Sequence, residues 1–363
     1  MIGKTLFIYI AVRYFKNVVA MLLALMFLIV TVDFVEELRK ASQLENASVW
    51  QLYQVSFFKA PVFLEKAFPF GCLFAAMMTL NQMNAKMELV VARAAGVSAG
   101  QFLLPICFVG IVLGFFVAMA YNPVAILSQE KSKDLRAEIY STKARAAEKS
   151  INGYWIRQKD ESGSAVINAN LARNRGQTLT DVTIVRWNPD GSLLNRIDAD
   201  SAYYRQDHWL LLGTKITEND GRVVEGGALR LRTNLLPENL LGASTPPESV
   251  PFWELRATAA NLAGTGGNSK AYLVQFHKLL SLPAFFIAMI LIAANVSLKF
   301  ARFGQAGKLI LGGILSGFVL YTISSLITSL GSNGIVPPAV AAWAPVCVAI
   351  LFGMSILLHQ EDG

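Results

Sequence analysis

Six runs of apolar residues, each long enough to cross a bilayer as a helix, constrain this chain more than any other feature of its sequence. A hydrocarbon core about 30 Å thick takes roughly 20 helical residues. The runs at about Asn17–Val35, Pro61–Gln82, Phe102–Tyr121, Leu279–Val296, Leu309–Leu330 and Ala339–Leu358 meet that length. Three precede and three follow a polar stretch: 36 of the 57 Lys, Arg, Asp and Glu residues of this 363-residue chain fall between Glu130 and Lys270. Backbone in lipid must satisfy its own hydrogen bonds, which a helix does. The expectation is a membrane α-helical fold of six spans, arranged three plus three, with a polar domain inserted between the halves.

The formal net charge of +7 is spread over loops and forms no basic, aromatic-interleaved cluster. It therefore bears on membrane orientation and predicts no nucleic-acid partner. With both termini inside, the inner segments carry Lys4, Arg13, Lys16, Lys86, Arg93, Lys299, Arg302 and Lys308, against Arg39, Lys40 and Lys59 outside. That excess predicts cytoplasmic termini, a cytoplasmic loop between the second and third spans, and an exported polar domain. The first apolar run follows basic residues as a signal peptide would, but no small-residue cleavage site precedes Asp33, so it is expected to remain as a span.

After the third run, Ile126–Ser150 reads as a charged helical neck. From about Asn152 to Phe252 the pattern alternates and is rich in β-branched residues, as in Thr178–Trp187, and Asn188-Pro189-Asp190-Gly191 marks a turn. An all-β, sandwich-like domain is expected, and because Cys72, Cys107 and Cys347 all lie in apolar runs, no disulfide can staple it. The predicted domains are residues 1–123 with spans 1–3, residues 124–271 with the neck and β domain, and residues 272–363 with spans 4–6.

The loop Gln82–Gln101 predicts a short amphipathic helix at about residues 83–96. Met83, Met87, Val90, Val91 and Ala94 share one face, and Gly96 stands where a left-handed cap would end it. Glu88 has no counter-charge at i±3 or i±4 on this helix, so any partner comes from elsewhere. Lys86 and Arg93 lie on the far side, and Ala92, Ala94, Ala95 and Gly96 permit close approach of another backbone. Spacing alone fits a docking element or a solvated connector. Glu65 and Lys66, entering the second span, fit a functional role or a place at interface level.

Catalytic signatures are missing. Gly307-Lys308 is followed by Leu309, and position 302 is Arg where a nucleotide-binding loop needs Gly. His208, His277 and His359 have no second ligand at metal spacing, and no nucleophile elbow occurs. Asp198 and Asp200 point to one face of a strand, which fits a solvated face. The chain reads as a part of a transport machine driven by a separate subunit, and no cofactor is expected on it.

Several stretches resemble the LptF/LptG family of lipopolysaccharide-export permeases, and the LptG branch more closely. They are Ile2-Gly3-Lys4-Thr5, Phe34–Lys40 (FVEELRK), Glu88-Leu89-Val90-Val91 with Ala95-Gly96, Arg232-Thr233-Asn234-Leu235 with Pro237 and Leu240, and Pro337-Pro338. Each is weak alone; their order and spacing carry the likeness. The resemblance implies a multi-pass protein of the Gram-negative inner membrane, working as a heterodimer with an LptF-like permease and two LptB-like ATPase subunits that bind the ATP and Mg. It implies that lipopolysaccharide is extracted from the outer leaflet and passed through an LptC-like protein to a bridge of β-jellyrolls, with the inserted periplasmic domain itself jellyroll-like. Glu88, with Met87, Val91, Arg93 and Gly96, would then couple to the ATPase, pairing with a basic group on it. Phe34, Leu38, Arg39, Lys40, Lys133 and Arg136 would contact the lipid. Asp33, Glu36 and Glu37 depart from the basic pattern suited to lipid A phosphates: either the phosphate contacts shift to the basic residues just named, or the native lipid carries less negative charge. Two other classes were weighed. A non-transporting scaffold that transmits force would lack a lipid-sized cavity. A headgroup enzyme would need an acid, base or metal cluster at interface depth, and the sequence has none.

Overall fold

The computed structural model describes residues 3–42, 48–139, 151–160, 163–173, 177–190, 192–205, 207–219, 221–233, 246–265, 268–303 and 306–362. The chain divides into two compact units, one of Met1–Leu135, Pro251–Trp253 and Leu273–Gly363 and one of Arg136–Val250 and Glu254–Tyr272.

The helices are α1 (Lys4–Ala41), α2 (Val49–Ala85), α3 (Glu88–Ala94), α4 (Ala99–Phe116) and α5 (Asn122–Ile139), then α6 (Phe252–Thr265), α7 (Ser269–Leu280), α8 (Leu282–Phe303), α9 (Ala306–Ser332) and α10 (Pro338–Asp362); they build the first unit except for the end of α5, all of α6 after Trp253 and the start of α7, which belong to the second. Among the described residues, five helical segments are long and apolar enough to cross a membrane, and α7 with α8 makes a sixth if the pair is one span. That pair corrects the expectation of a continuous fourth span, because it bends by 52°. The cause is Pro283, which has no N–H to return to the carbonyl of Leu279. The first span is also longer than its apolar run, with 38 residues in one helix.

α1 and α2 form an antiparallel hairpin, in which Asn17 Nδ2 donates to Thr79 Oγ1 at 2.8 Å near one end and Lys59 Nζ reaches Asp33 at 2.5 Å near the other. Tyr14, Leu73, Leu80, Phe102, Ile106 and Phe286 are buried in one apolar core. Close packing of these side chains against one another holds the unit together. α4 crosses α8 closely at its glycines: a Cβ on Gly114 would lie 2.4 Å from Pro283 Cα, and one on Gly110 2.6 Å from Ile290 Cδ1. Small residues let membrane helices approach to this degree.

Past the third apolar run the helix runs on into α5, the described part of the expected neck. Val117–Tyr121 widens into a π-turn, with the Asn122 N–H on the Val117 carbonyl, and the helix continues as α5. Pro123 cannot donate to the Met119 carbonyl four residues back. Trp253 Nε1 donates there instead, at 3.2 Å. Asn122 is buried between Glu65, which accepts from its amide nitrogen at 3.1 and 3.2 Å, and the Phe252 N–H, which donates to its oxygen at 3.0 Å. Glu65 thus holds a helix junction together.

The second unit contains one antiparallel sheet of β1 (Ile151–Asp160), β2 (Gly163–Arg173), β3 (Thr178–Trp187), β4 (Leu193–Arg205), β5 (His208–Glu218) and β6 (Val223–Arg232), hydrogen-bonded in sequence order. This is a β domain as expected, with the pairing of a meander; the crossovers of Greek keys do not occur among the described strands. Ile167, Leu179, Ile184, Ile197, Trp209 and Leu211 form its core. The sheet rolls until β1 meets the end of β6 through a side chain: Gln158 donates to the Arg232 carbonyl at 3.2 Å and accepts from Thr233 at 2.8 Å.

A crease runs across this sheet. No ladder partner joins Asn170 to Asp181, Asp181 to Asp200, or Asp200 to Gly213. Asp181 and Gly213 have left-handed φ of 53° and 67°. Along β4 the buried residues change from Ile197 and Ala199 to Ala202 and Tyr204, so the alternation slips by one at the crease.

Candidate functional site

The site is assembled from α1, the end of α2, and α3. Tyr9, Arg13 and Asn17 occur every fourth residue on an apolar helix, so they share one face and stack along it. α2 ends at Ala85. Met87 is left-handed with φ 58°, a conformation that costs a non-glycine residue about 1 kcal/mol or more and recurs where structure serves function. The chain then restarts as α3 and closes on Gly96, φ 84°, with the Val97 N–H on the Ala92 carbonyl. Gly96 is the left-handed cap that the sequence predicts. Ser98 and Gln101 then form a capping box for α4.

The break at Met87 shortens the expected helix of residues 83–96 to seven residues and changes its face. Met83 belongs to α2 and is buried, whereas Met87, Val90 and Val91 are 64%, 53% and 68% exposed. Leu89 is buried against the helical core. The side chain of Arg93 lies outside the described residues.

Glu88 has a partner within this chain, on α1, beside the base on the ATPase that the resemblance implies. Arg13 Nη1 lies 3.0 and 2.8 Å from the two Glu88 oxygens and donates to the Tyr9 hydroxyl oxygen at 2.8 Å. The Tyr9 hydroxyl donates in turn to Glu88 at 3.2 and 3.3 Å. Arg13 Nε donates to Gln82 Oε1 at 3.3 Å, and Asn17 Nδ2 reaches the same oxygen at 3.4 Å. The Arg13 and Glu88 side chains are 13% and 27% exposed, a setting in which charge-assisted bonds exceed surface pairs in strength. The sequence marks Tyr9, Gln82 and Thr79 with no functional expectation, and Arg13 only as an orienting charge. The polar stripe at i, i+4 and i+8 on α1 was their sequence signal.

At the other end of the hairpin, acid and base are interleaved. Lys59 lies 2.5 Å from Asp33 and 3.9 Å from Glu37, and Lys40 lies 2.5 Å from Glu36 and 3.9 Å from Glu37, whose side chain is fully buried. Lys40 is therefore neutralised by its own helix, while Arg39 is exposed. Phe34 is half-buried against Tyr53, with ring centroids 5.8 Å apart, and Leu38 is half-buried. Lys133 is exposed on α5, and Arg136, one turn on, belongs to the unit that carries the sheet.

Membrane-length helices around an apolar core, with a β domain in the same chain, define a multi-pass membrane protein. The chain belongs to the LptF/LptG family, whose model, described as lipopolysaccharide export system permease LptF/LptG, matches residues 8–359. It is similar to the lipopolysaccharide export system permease protein LptG of Haemophilus influenzae, at 23% identity over 96% of each chain. It is likewise 23% identical to the protein of that name from Escherichia coli strain K12, over 99% of this chain and 97% of that one. The function defined at this level is that of a lipopolysaccharide-export permease.

Proposed function

We propose that the chain is one permease of an ABC transporter of the inner membrane, paired with an LptF-like permease and driven by two LptB-like ATPase subunits. Both termini and α3 face the cytoplasm, the β domain faces the periplasm, and ATP and Mg are bound by the ATPase. The observation that carries this reading is α3 itself. A seven-residue helix set off by left-handed residues at Met87 and Gly96 presents Met87, Val90 and Val91 to solvent beside the partly exposed Glu88. An apolar patch rimmed by a charge on a short, separately held element has the chemistry of a protein interface.

Lipopolysaccharide enters, on this reading, from the outer leaflet beside the outward half of α1, where Leu23, Phe27, Leu28, Val32 and Val35 form an exposed apolar stripe. Phe34 and Leu38 lead on from that stripe to Arg39. Because Lys40 and Lys59 are matched by Asp33, Glu36 and Glu37, Arg39 and Lys133 are left as the basic groups for lipid phosphates, with Arg136 beyond them. The lipid then passes to an LptC-like protein and a bridge of β-jellyrolls. Photo-crosslinkers at Phe34 and Leu38 in cells are expected to capture lipopolysaccharide, and the detergent-purified chain is expected to retain the ATPase. Capture by probes on α4 with none on α1 would overturn the entrance. Loss of no ATPase on Val91→Asp would overturn the docking face.

A further inference from the structure

We propose that Arg13 is a positioning residue that joins α3 to α1, so that displacement of α3 by a nucleotide-driven partner is carried directly into the first span; this rests on the docking role of α3 proposed above. Among the described residues, the directional side-chain contacts from α3 to another helix run from Glu88 and end on Arg13 and Tyr9, both on α1. The buried Leu89 adds an apolar contact, which resists separation but is non-directional and does not fix orientation. The backbone links are the left-handed Met87 and Gly96, about which so short a helix can pivot.

Arg13 is suited to bear that load. Its guanidinium is planar and its donors are fixed relative to one another. With Nη1 on Glu88 and Nε on Gln82, one side chain of α1 spans α2 and α3. A turn further along, Asn17 contacts Gln82 and Thr79, and Thr79 donates to the Ala75 carbonyl at 2.7 Å. A push on α3 therefore enters the hairpin over two successive turns. The Glu88 side chain is 27% exposed, and the longer of its contacts, at 3.2 and 3.3 Å, are those with the Tyr9 hydroxyl, which a partner can displace. A basic group of a partner can thus bind Glu88 while Arg13 keeps its hold, which makes Glu88 a bridge between partner and span.

The test uses the full chain co-expressed with its partner subunits in reconstituted vesicles. Spin labels at the exposed positions Val12 and Val90 report the separation of α1 and α3. Wild type is expected to give one narrow distance, and Arg13→Gln a broad distribution with lipid released per ATP hydrolysed down at least tenfold and the ATPase still bound. Arg13→Lys, which keeps the charge but not the fork, is expected between the two, and serves in its place should Arg13→Gln fail to accumulate. The exchanged pair Arg13→Glu with Glu88→Arg is expected to restore the narrow distance and not the release ratio, because the partner's base then meets an arginine. An unchanged distance distribution in Arg13→Gln, or a release ratio within twofold of wild type, overturns the proposal. Failure of the docking role looks different: Val91→Asp, which leaves Arg13 and Glu88 in place, then retains the ATPase and the full release ratio, while the Val12–Val90 distance in the Arg13 variants still decides whether Arg13 holds α3.

Discussion

Lys59 sets the conditions at the end of the hairpin away from α3. It lies 2.5 Å from Asp33 and 3.9 Å from the fully buried Glu37, which Lys40 also approaches to 3.9 Å, so Lys59 serves Asp33 and shares with Lys40 a carboxylate held away from water. Removing one member of such a pair costs more than the pair is worth, because the other keeps its desolvation penalty. Lys59→Met is expected to lower stability by about 1.5–3 kcal/mol, and Lys59→Met with Asp33→Asn to recover part of that loss. Thermal unfolding of the detergent-solubilised chain measures both, and equal loss in the single and double variants would refute the coupling. Gly114 is the tightest point of the α4–α8 crossing, where a Cβ would meet Pro283 backbone at 2.4 Å. Gly114→Ala is expected to cost about 1–3 kcal/mol by forcing the helices apart, in the same assay. Neither contact could be read from the chain, because the partners are far apart in sequence. The separate members could be: Asp33 and Lys59 are ionisable residues next to apolar runs, which is a signal of pairing without a statement of the partner.

Elements were legible to different depths. The spans announced themselves by length and hydropathy, and Gly96 announced the end of α3. The start of α3 was hidden because Met87 takes a left-handed φ that its side chain does not advertise, and this alone moved Met83 from the docking face into the core. Strand positions were visible in the alternation, whereas the crease was not, since only Gly213 among its members favours that backbone. Gly213→Ala is expected to destabilise the sheet, a Cβ there lying 2.1 Å from Asp200 Oδ2; loss of tryptophan emission on urea titration would register it. The sheet is also expected to weaken in acid. Burial opposes ionisation of Asp198, but hydrogen bonds from Arg196 and Thr183 prevail and hold its pKa below the usual 3.8. A hydrogen bond from His208 does the same for Asp207. Carboxylates with depressed folded pKa values contribute stability that is present above the unfolded pKa and lost as pH falls through the folded one. The urea midpoint should therefore fall below about pH 4, and less steeply in Asp198→Asn; an identical slope would place the acid response elsewhere.

At the scale of the whole molecule, the division into spans and an inserted β domain was readable from charge distribution, and the family from scattered motifs in order. What composition could not give was the use of α1 as more than a span. Its exposed apolar stripe from Ile8 to Phe27 calls for lipid or a second permease, and native mass spectrometry is expected to find one copy of this chain per complex beside that permease; a stable, active complex with two copies would contradict the pairing. A helix of 38 residues is about 57 Å long, while the membrane with its headgroups is about 40–45 Å thick. α1 is therefore a rod with length to spare, gripped at Arg13 near one end and ionically tied to α2 near the other. For such a rod a tilt of about 5° about Arg13 sweeps the far end, about 42 Å away, through about 4 Å. On the coupling proposed above, leverage of that kind would turn a small rocking of α3 into a gap about as wide as an acyl chain, with no residue of α1 having to unfold.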